Sequence, residues 1–485
     1  MTIGRTTGGL GSAGTQVGAL YRSAQLMVLI GLVALANLWF LQPIAGGDTD
    51  ALIRGAAALG RCLTEGQLVA CGLTSERTVD GYLTTIGPWP LLQYPIVLTA
   101  DTFGATVPQR AELLSVVSIL AFFLSVATTS RVLRRAGSHE WLWLVILVVV
   151  SGPLLAYASA TWGEMLATAL LLLVVASTVI PSRPWLVALA VLGATLTKET
   201  SYPFVVAIGL TGLLLARERT RSSVKAHLAW GAAGLAGGVA CGAAFNVIRF
   251  GSLLNTNQLQ PEFRASTAGQ VLESTVGLLF APNGGMLFFW PTALFALALA
   301  CGLPLYRAAR ADEAWRSAIP ALVIVGSILG LLLGLASWAS PFGWFAWGPR
   351  LSLPWVWPLL LLALVAYGPM ARDGVTRFVR SWWRTGSVAV LAVASALPHI
   401  GFLWRPETTR EFFFANTDAC GTASLFDSAG RYACVHEQMW LRHNILLDAL
   451  PGLTTIGGIV TIVAVVLVQL GSLALLREDL LTKQR

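Results

Sequence analysis

Four stretches of this 485-residue chain carry side chains able to do chemistry, and each borders a long apolar run. The first is G-G-D-T-D-A-L-I-R-G-A-A-A-L, residues 46–59. Asp48 and Asp50 lie just past one apolar run and just ahead of an expected surface helix, whose Leu52, Ala56 and Leu59 make an apolar stripe. A carboxylate there is close to a membrane face yet reachable from water. That is where a general base must sit to deprotonate a hydroxyl attacking a lipid-bound electrophile. The plainer alternative is a helix cap, since Asp is a preferred N-cap residue and either one could cap a helix over 49–60.

The second stretch is L-T-K-E-T-S-Y-P-F, residues 196–204, where Lys198 and Glu199 stand between apolar segments with no run of charges beside them. Ionisable groups at such depth are costly and face a cavity or a partner. A Lys there can hold the phosphate of a membrane lipid, an attraction of about 4 kcal/mol at ~4 Å and an effective dielectric of ~20, before desolvation. The structural alternative is an ion pair of Lys198 with Glu199 or with Glu164. The third stretch is F-N-V-I-R-F-G-S-L-L-N-T-N, residues 245–257, and the fourth is G-W-F-A-W-G-P-R-L-S-L-P, residues 343–354. Arg249 and Arg350 each stand alone there, the second flanked by Trp344 and Trp347. An Arg fork suits bidentate phosphate binding, and aromatic faces suit sugar rings or isoprene units. The alternative for the tryptophans is the interfacial belt common to membrane proteins.

These residues must be positioned by membrane helices. Only 12% of the chain is charged and 55% is hydrophobic, with a mean hydropathy of +0.70. Soluble proteins carry roughly 25% charged residues, so a soluble enzyme and a disordered scaffold are both excluded. Apolar spans fall at 23–41, 113–130, 141–157, 163–180, 184–197, 201–216, 228–247, 285–305, 317–337, 352–370, 385–404 and 452–475. The fold class is therefore an all-α polytopic membrane protein with about 12 transmembrane segments. The count is 10 if the short spans 184–197 and 201–216 form a re-entrant or kinked pair. Residues 1–20, rich in Gly, Ser and Thr, read as a disordered tail, and residues 21–485 as a single transmembrane module. The glycines of 228–247 read as small residues for close helix packing.

Charge placement orients the chain. With the N-terminus cytoplasmic, the inner segments hold 20 of the 32 basic residues and 7 of the 24 acids, a net +13, while the remainder nets −5. The basic excess is thus a topology signal, and a nucleic-acid partner loses its support. Both termini are then cytoplasmic and the long loops, 42–112, 248–284, 338–351 and 405–451, are extracytoplasmic. Cys62, Cys71, Cys420 and Cys434 all fall in those loops, where disulfides persist. Cys62–Cys71 and Cys420–Cys434 are the local pairings among three connectivities. A metal site from these cysteines is disfavoured, since no C-x-x-C spacing appears and the only nearby histidine is His436.

In order and placement these motifs resemble the GT-C glycosyltransferases, integral membrane enzymes that use polyprenyl-phosphate sugar donors. The matching elements are Asp48 after the first span, W-P-L-L-Q-Y-P at 89–95, A-T-W-G-E-M at 160–165, L-T-K-E-T at 196–200, R-F-G-S at 249–252 and W-G-P-R at 347–350. The resemblance implies a GT-C-like fold in the plasma (inner) membrane, with the active site on the extracytoplasmic face. It implies Asp48 as catalytic base, Lys198 and Arg350 on the donor phosphate with Arg249 as a further candidate, and Gln93, Tyr94, Glu164, Glu199, Trp344 and Trp347 as substrate-binding residues. Transfer would invert the anomeric centre. A lipid monophosphate needs less neutralisation than a nucleotide diphosphate, so no metal or other cofactor is required, although a divalent ion is compatible. The acceptor would be a cell-wall glycan, a glycolipid or a protein. Two departures stand out: Thr49 separates Asp48 from Asp50, leaving open which is the base, and no large soluble domain follows residue 405. The Arg-over-Lys bias is that of a high-GC bacterium such as an actinobacterium. Two other classes remain: a twelve-helix secondary transporter, or a lipid-linked glycan flippase or ligase. The transporter fits poorly with a short central inner segment at 217–227 and halves that do not echo each other. The ligase is kept open by Arg410, Glu411, His436, Glu437 and Arg442 in the last outer loop.

Overall fold

The computed structural model describes residues 91–198, 201–216, 220–250, 252–254, 265, 267–310, 315–338, 347–348, 350–405, 436–441 and 444–482, together with Gly31, Thr49, Leu52, Ile53, Gly55, Ala56, Gly60 and Thr64. Among them the regular structure is helical throughout: α1 (Tyr94–Thr102), α2 (Val107–Arg135), α3 (Trp141–Val150), α4 (Leu154–Tyr157), α5 (Glu164–Val179), α6 (Trp185–Thr195), α7 (Ser201–Leu215), α8 (Arg221–Phe250), α9 (Ala268–Phe280), α10 (Met286–Phe289), α11 (Pro291–Arg310), α12 (Trp315–Ala336), α13 (Leu353–Val379), α14 (Trp382–Trp404), α15 (Ile445–Ala449) and α16 (Ile456–Thr482). Every expected span after the first is helical here, with 285–305 divided between α10 and α11 at Trp290-Pro291, and the first, at 23–41, lies outside the described residues save Gly31. Among the described residues six helices are long and apolar enough to cross a membrane, and the chain is an all-α polytopic membrane protein.

Local chemistry explains the boundaries. Thr106 and Gln109 form a capping box at the start of α2, with Pro108 in its first turn. The expected span 141–157 is broken between α3 and α4 at Ser151-Gly152-Pro153, where proline lacks the N–H that would continue the ladder. The pair α6 and α7, of 11 and 15 residues, measures only about 16 and 22 Å against a hydrocarbon core of ~30 Å. On α16, Ile459, Val463, Leu467 and Leu470 are exposed at helical spacing, an apolar stripe fit to face lipid.

Helix α5 sits among α2, α6, α7 and α13, and α13 also packs on α11 and α3. Tryptophan indoles tie the layers: Trp357 of α13 donates to Thr129 of α2 at 3.0 Å, and Trp290 donates to the Val148 carbonyl of α3 at 2.7 Å. On α8, a Cβ at Gly234 would meet the Ala188 backbone and one at Gly238 the Thr195 hydroxyl, so these two glycines let α8 lie directly on α6. Beside α1 and α2, the described residues of 49–64 are helical. Leu52, Ile53 and Ala56 are buried there with Tyr94, Val97 and Leu114. Leu52 and Ala56 of the expected apolar stripe are thus buried, and Leu59 lies outside the described residues. Of the cysteines, Cys241 and Cys301 are unpaired thiols. Cys62, Cys71, Cys420 and Cys434 lie outside the described residues.

The bundle carries a buried carboxylate at each end. At one end Arg372 donates through Nε to Glu140 at 2.8 Å, and the Glu140 side chain has no exposure. At the other end Glu164 meets Lys198 and Arg350. Residues 350 and 372 are 22 positions apart along essentially one helical stretch, so the two ends are on the order of 30 Å apart. Groups assigned to one membrane side by charge counting thus gather at one end of the fold. Arg372→Met should remove the guanidinium partner of the buried Glu140 and cost about 3 kcal/mol. A lowered midpoint of thermal unfolding in detergent, largely restored when Glu140→Gln is added, checks this.

Candidate active site

The site is built on the corner between α4 and α5. Three other segments hold that corner in place. From α2, the Ser118 hydroxyl donates to the Ala160 carbonyl at 2.6 Å. From the turn before α1, Gln93 Nε2 donates to the Thr161 carbonyl at 3.3 Å. From the first loop, the buried Thr49 hydroxyl is hydrogen-bonded to that of Thr161. The corner ends at Glu164, the first residue of α5, where the partial positive charge of a helix N-terminus favours a carboxylate.

Glu164 is fully buried and gathers two cations. Lys198 Nζ, just past α6, donates to Glu164 Oε1 at 2.7 Å. Arg350 Nε, just before α13, donates to the same oxygen at 2.7 Å. The Arg350 guanidinium also lies over the Trp162 ring, 4.3 Å from its centroid, a cation–π contact that keeps the fork's plane oriented. The lysine and arginine side chains are only 15% and 11% exposed, so water screens them little.

The approach to Arg350 is held rigidly. Trp347 donates its indole N–H to His399 Nδ1 at 2.8 Å, which leaves the proton on Nε2, and that nitrogen donates to the Phe289 carbonyl at 2.7 Å. Tyr157 donates its hydroxyl to the Trp347 carbonyl at 2.9 Å, and the Trp347 ring stacks on Phe402 with centroids 4.5 Å apart. Gly348 follows with φ +67, and a Cβ there would fall 2.6 Å from Phe289 Cδ1, so only glycine makes this turn.

Of the residues singled out from sequence, Lys198, Glu164 and Arg350 are brought into contact. The expected alternative of a Lys198–Glu164 pair is present, enlarged by Arg350. Gln93 reaches the same corner. Tyr94 is buried over Gly55 and edge-on to Phe245, whose centroid is 5.3 Å away. Trp347, expected as a sugar-binding face or a belt residue, has no exposed face and packs against Phe289, His399 and Phe402. Asp48, Asp50, Glu199 and Trp344 lie outside the described residues, as does the Arg249 side chain. Sequence reading missed His399, although a lone histidine inside an apolar run is a signal in itself. It also missed Tyr157, and it named Thr161 and Trp162 only as part of the A-T-W-G-E-M motif, without a role. Buried polar atoms without a hydrogen-bond partner cluster on the segments that meet here: Gln93 Oε1, Ser159 Oγ, Trp162 Nε1, Glu164 Oε2 and Ser201 Oγ. Unmet polar atoms gathered at one place are what a bound polar group would satisfy.

No family model matches the chain, and no curated protein does. Two solved structures are similar to it. ArnT from Cupriavidus metallidurans bound to undecaprenyl phosphate aligns over 94% of this chain and 77% of that one, with 16% identity and a TM-score of 0.47. The same protein in its apo state aligns over 97% and 78%, with 14% identity and a TM-score of 0.45.

Proposed function

We propose that the chain transfers a sugar from a polyprenyl-phosphate donor to a hydroxyl acceptor, as a GT-C type glycosyltransferase working on the extracytoplasmic face. The observation that carries this reading is the meeting of Lys198 and Arg350 on one buried carboxylate, next to the corner where first-loop Thr49 is anchored. Two cations in a poorly screened recess suit an anion delivered from within the membrane.

In the proposed mechanism the isoprenoid tail lies against the short α6–α7 pair, with its phosphate at Lys198 and Arg350. The acceptor enters under the first loop, where Asp48, or Asp50 in its place, takes the hydroxyl proton. The acceptor oxygen forms a bond to the anomeric carbon as the bond from that carbon to the phosphate oxygen breaks, the electron pair staying on phosphate. Lys198 and Arg350 stabilise the charge that grows there, so the reading calls for no metal. Attack opposite the leaving group inverts the anomeric centre.

A secondary transporter is disfavoured by where the charges stand. Transport sites lie near the bilayer midplane, whereas the described ion-paired carboxylates inside the bundle are at its two ends. The described polar cluster between them, Gln469 with Ser151, is neutral and ties α16 to α3. The test is to supply labelled polyprenyl-phosphate sugars singly to the protein in nanodiscs and follow label into added glycan, glycolipid or protein acceptors. Consumption of one donor is expected. Turnover of none, with vectorial movement of solute in proteoliposomes, would overturn the reading.

A further inference from the structure

Glu164 has the wrong charge to hold a phosphate, yet it stands where both phosphate-holding cations meet. A single ion pair would suffice to neutralise either cation. Instead one oxygen, Oε1, accepts from Lys198 and Arg350 together, while Oε2 is buried with no hydrogen-bond partner. Glu164 therefore subtracts one unit of charge from the grip.

The transfer reaction changes the charge of what that grip must hold. The donor is a phosphodiester and carries one negative charge. When the anomeric carbon–oxygen bond breaks, its electron pair stays on phosphate, and the product is a monoester carrying about −1.5 to −2 at neutral pH. Coulomb attraction scales with the product of the charges, so a grip with more positive charge widens the gap by which it holds product over donor. We propose that Glu164 is a specificity-determining residue that keeps this gap small, letting the monoester product leave and the next diester donor enter. Trp162, stacked under the guanidinium, and the buried Oε1 contacts hold the two cations in place while Glu164 sets their sum. This rests on the reading of Lys198 and Arg350 as phosphate-binding groups.

The test uses the full chain in nanodiscs with two short probes, farnesyl phosphate as monoester and methyl farnesyl phosphate as diester, and measures both dissociation constants at about pH 8, where the monoester is a dianion. Glu164→Gln is expected to raise the preference for monoester over diester about tenfold relative to wild type. Glu164→Asp, which keeps the charge, is expected to retain the wild-type ratio even if both probes bind more weakly. An unchanged ratio in Glu164→Gln would overturn the proposal. If that variant does not fold, wild type alone decides: a preference for monoester under about tenfold supports the proposal, and one of about a hundredfold or more overturns it. Failure of the underlying reading looks different: wild type then binds neither probe, or Lys198→Met leaves both affinities untouched.

Discussion

Replacing Asp48 with Asn is expected to lower sugar transfer by about 10²–10⁴-fold while membrane expression and thermal stability stay near wild type. The substitution separates the two roles the residue type allows. Asparagine caps helices as well as aspartate does, so a pure cap would survive the change, whereas an amide cannot take a proton from the acceptor. The Thr49 hydroxyl, bonded to Thr161, anchors the first loop at the corner in either case. The assay is transfer from a labelled polyprenyl-phosphate sugar in nanodiscs, with Asp50→Asn run beside it. Loss in Asp50→Asn alone would move the base role to Asp50. Full activity in both would remove the first loop from proton transfer.

Arg350→Met should lower kcat/KM by about 10²–10³-fold, the usual cost of removing one group that stabilises developing charge. Lys198→Met should act in the same direction, through a raised donor KM or a depressed kcat. Arg350 is expected to be the more sensitive because its fork engages two partners at once, Glu164 through Nε and Trp162 through its face. Arg350→Lys keeps a charge but loses the planar fork, so it should recover only part of the activity. Since Glu164 is fully buried, losing either cation also strains the fold, and thermal unfolding must be measured in parallel. Unchanged kinetics in a stable Lys198→Met or Arg350→Met protein would reduce the cluster to a structural ion pair.

Much of the helical layout is legible in the amino-acid sequence. A chain crossing a bilayer must satisfy its backbone polar groups within each segment, so apolar run length translates almost directly into helices. The span 141–157 is the instructive exception, because Gly152 and Pro153 mark a break that hydropathy alone smooths over. Lys198 is legible for a related reason: a lone cation between two short apolar helices has few innocent explanations. Glu164 is less so, since an acid opening a helix is commonplace. Trp347 reads as an edge tryptophan, and only the helices around it show that Phe402, Phe289 and His399 enclose it.

By itself the amino-acid sequence determined that this protein is an all-helical membrane protein, which segments are helical, and which lone charges break the apolar pattern. Those properties follow from composition and period along a single segment. Only the tertiary structure decided that Lys198 and Arg350 share one oxygen of Glu164, and that Trp162 lies under the Arg350 guanidinium while Trp347 is enclosed by Phe289, His399 and Phe402. Such contacts depend on how α5, α6, α7 and α13 pack side by side, and the solvent-transfer energetics that shape each helix carry no information about which helix becomes its neighbour.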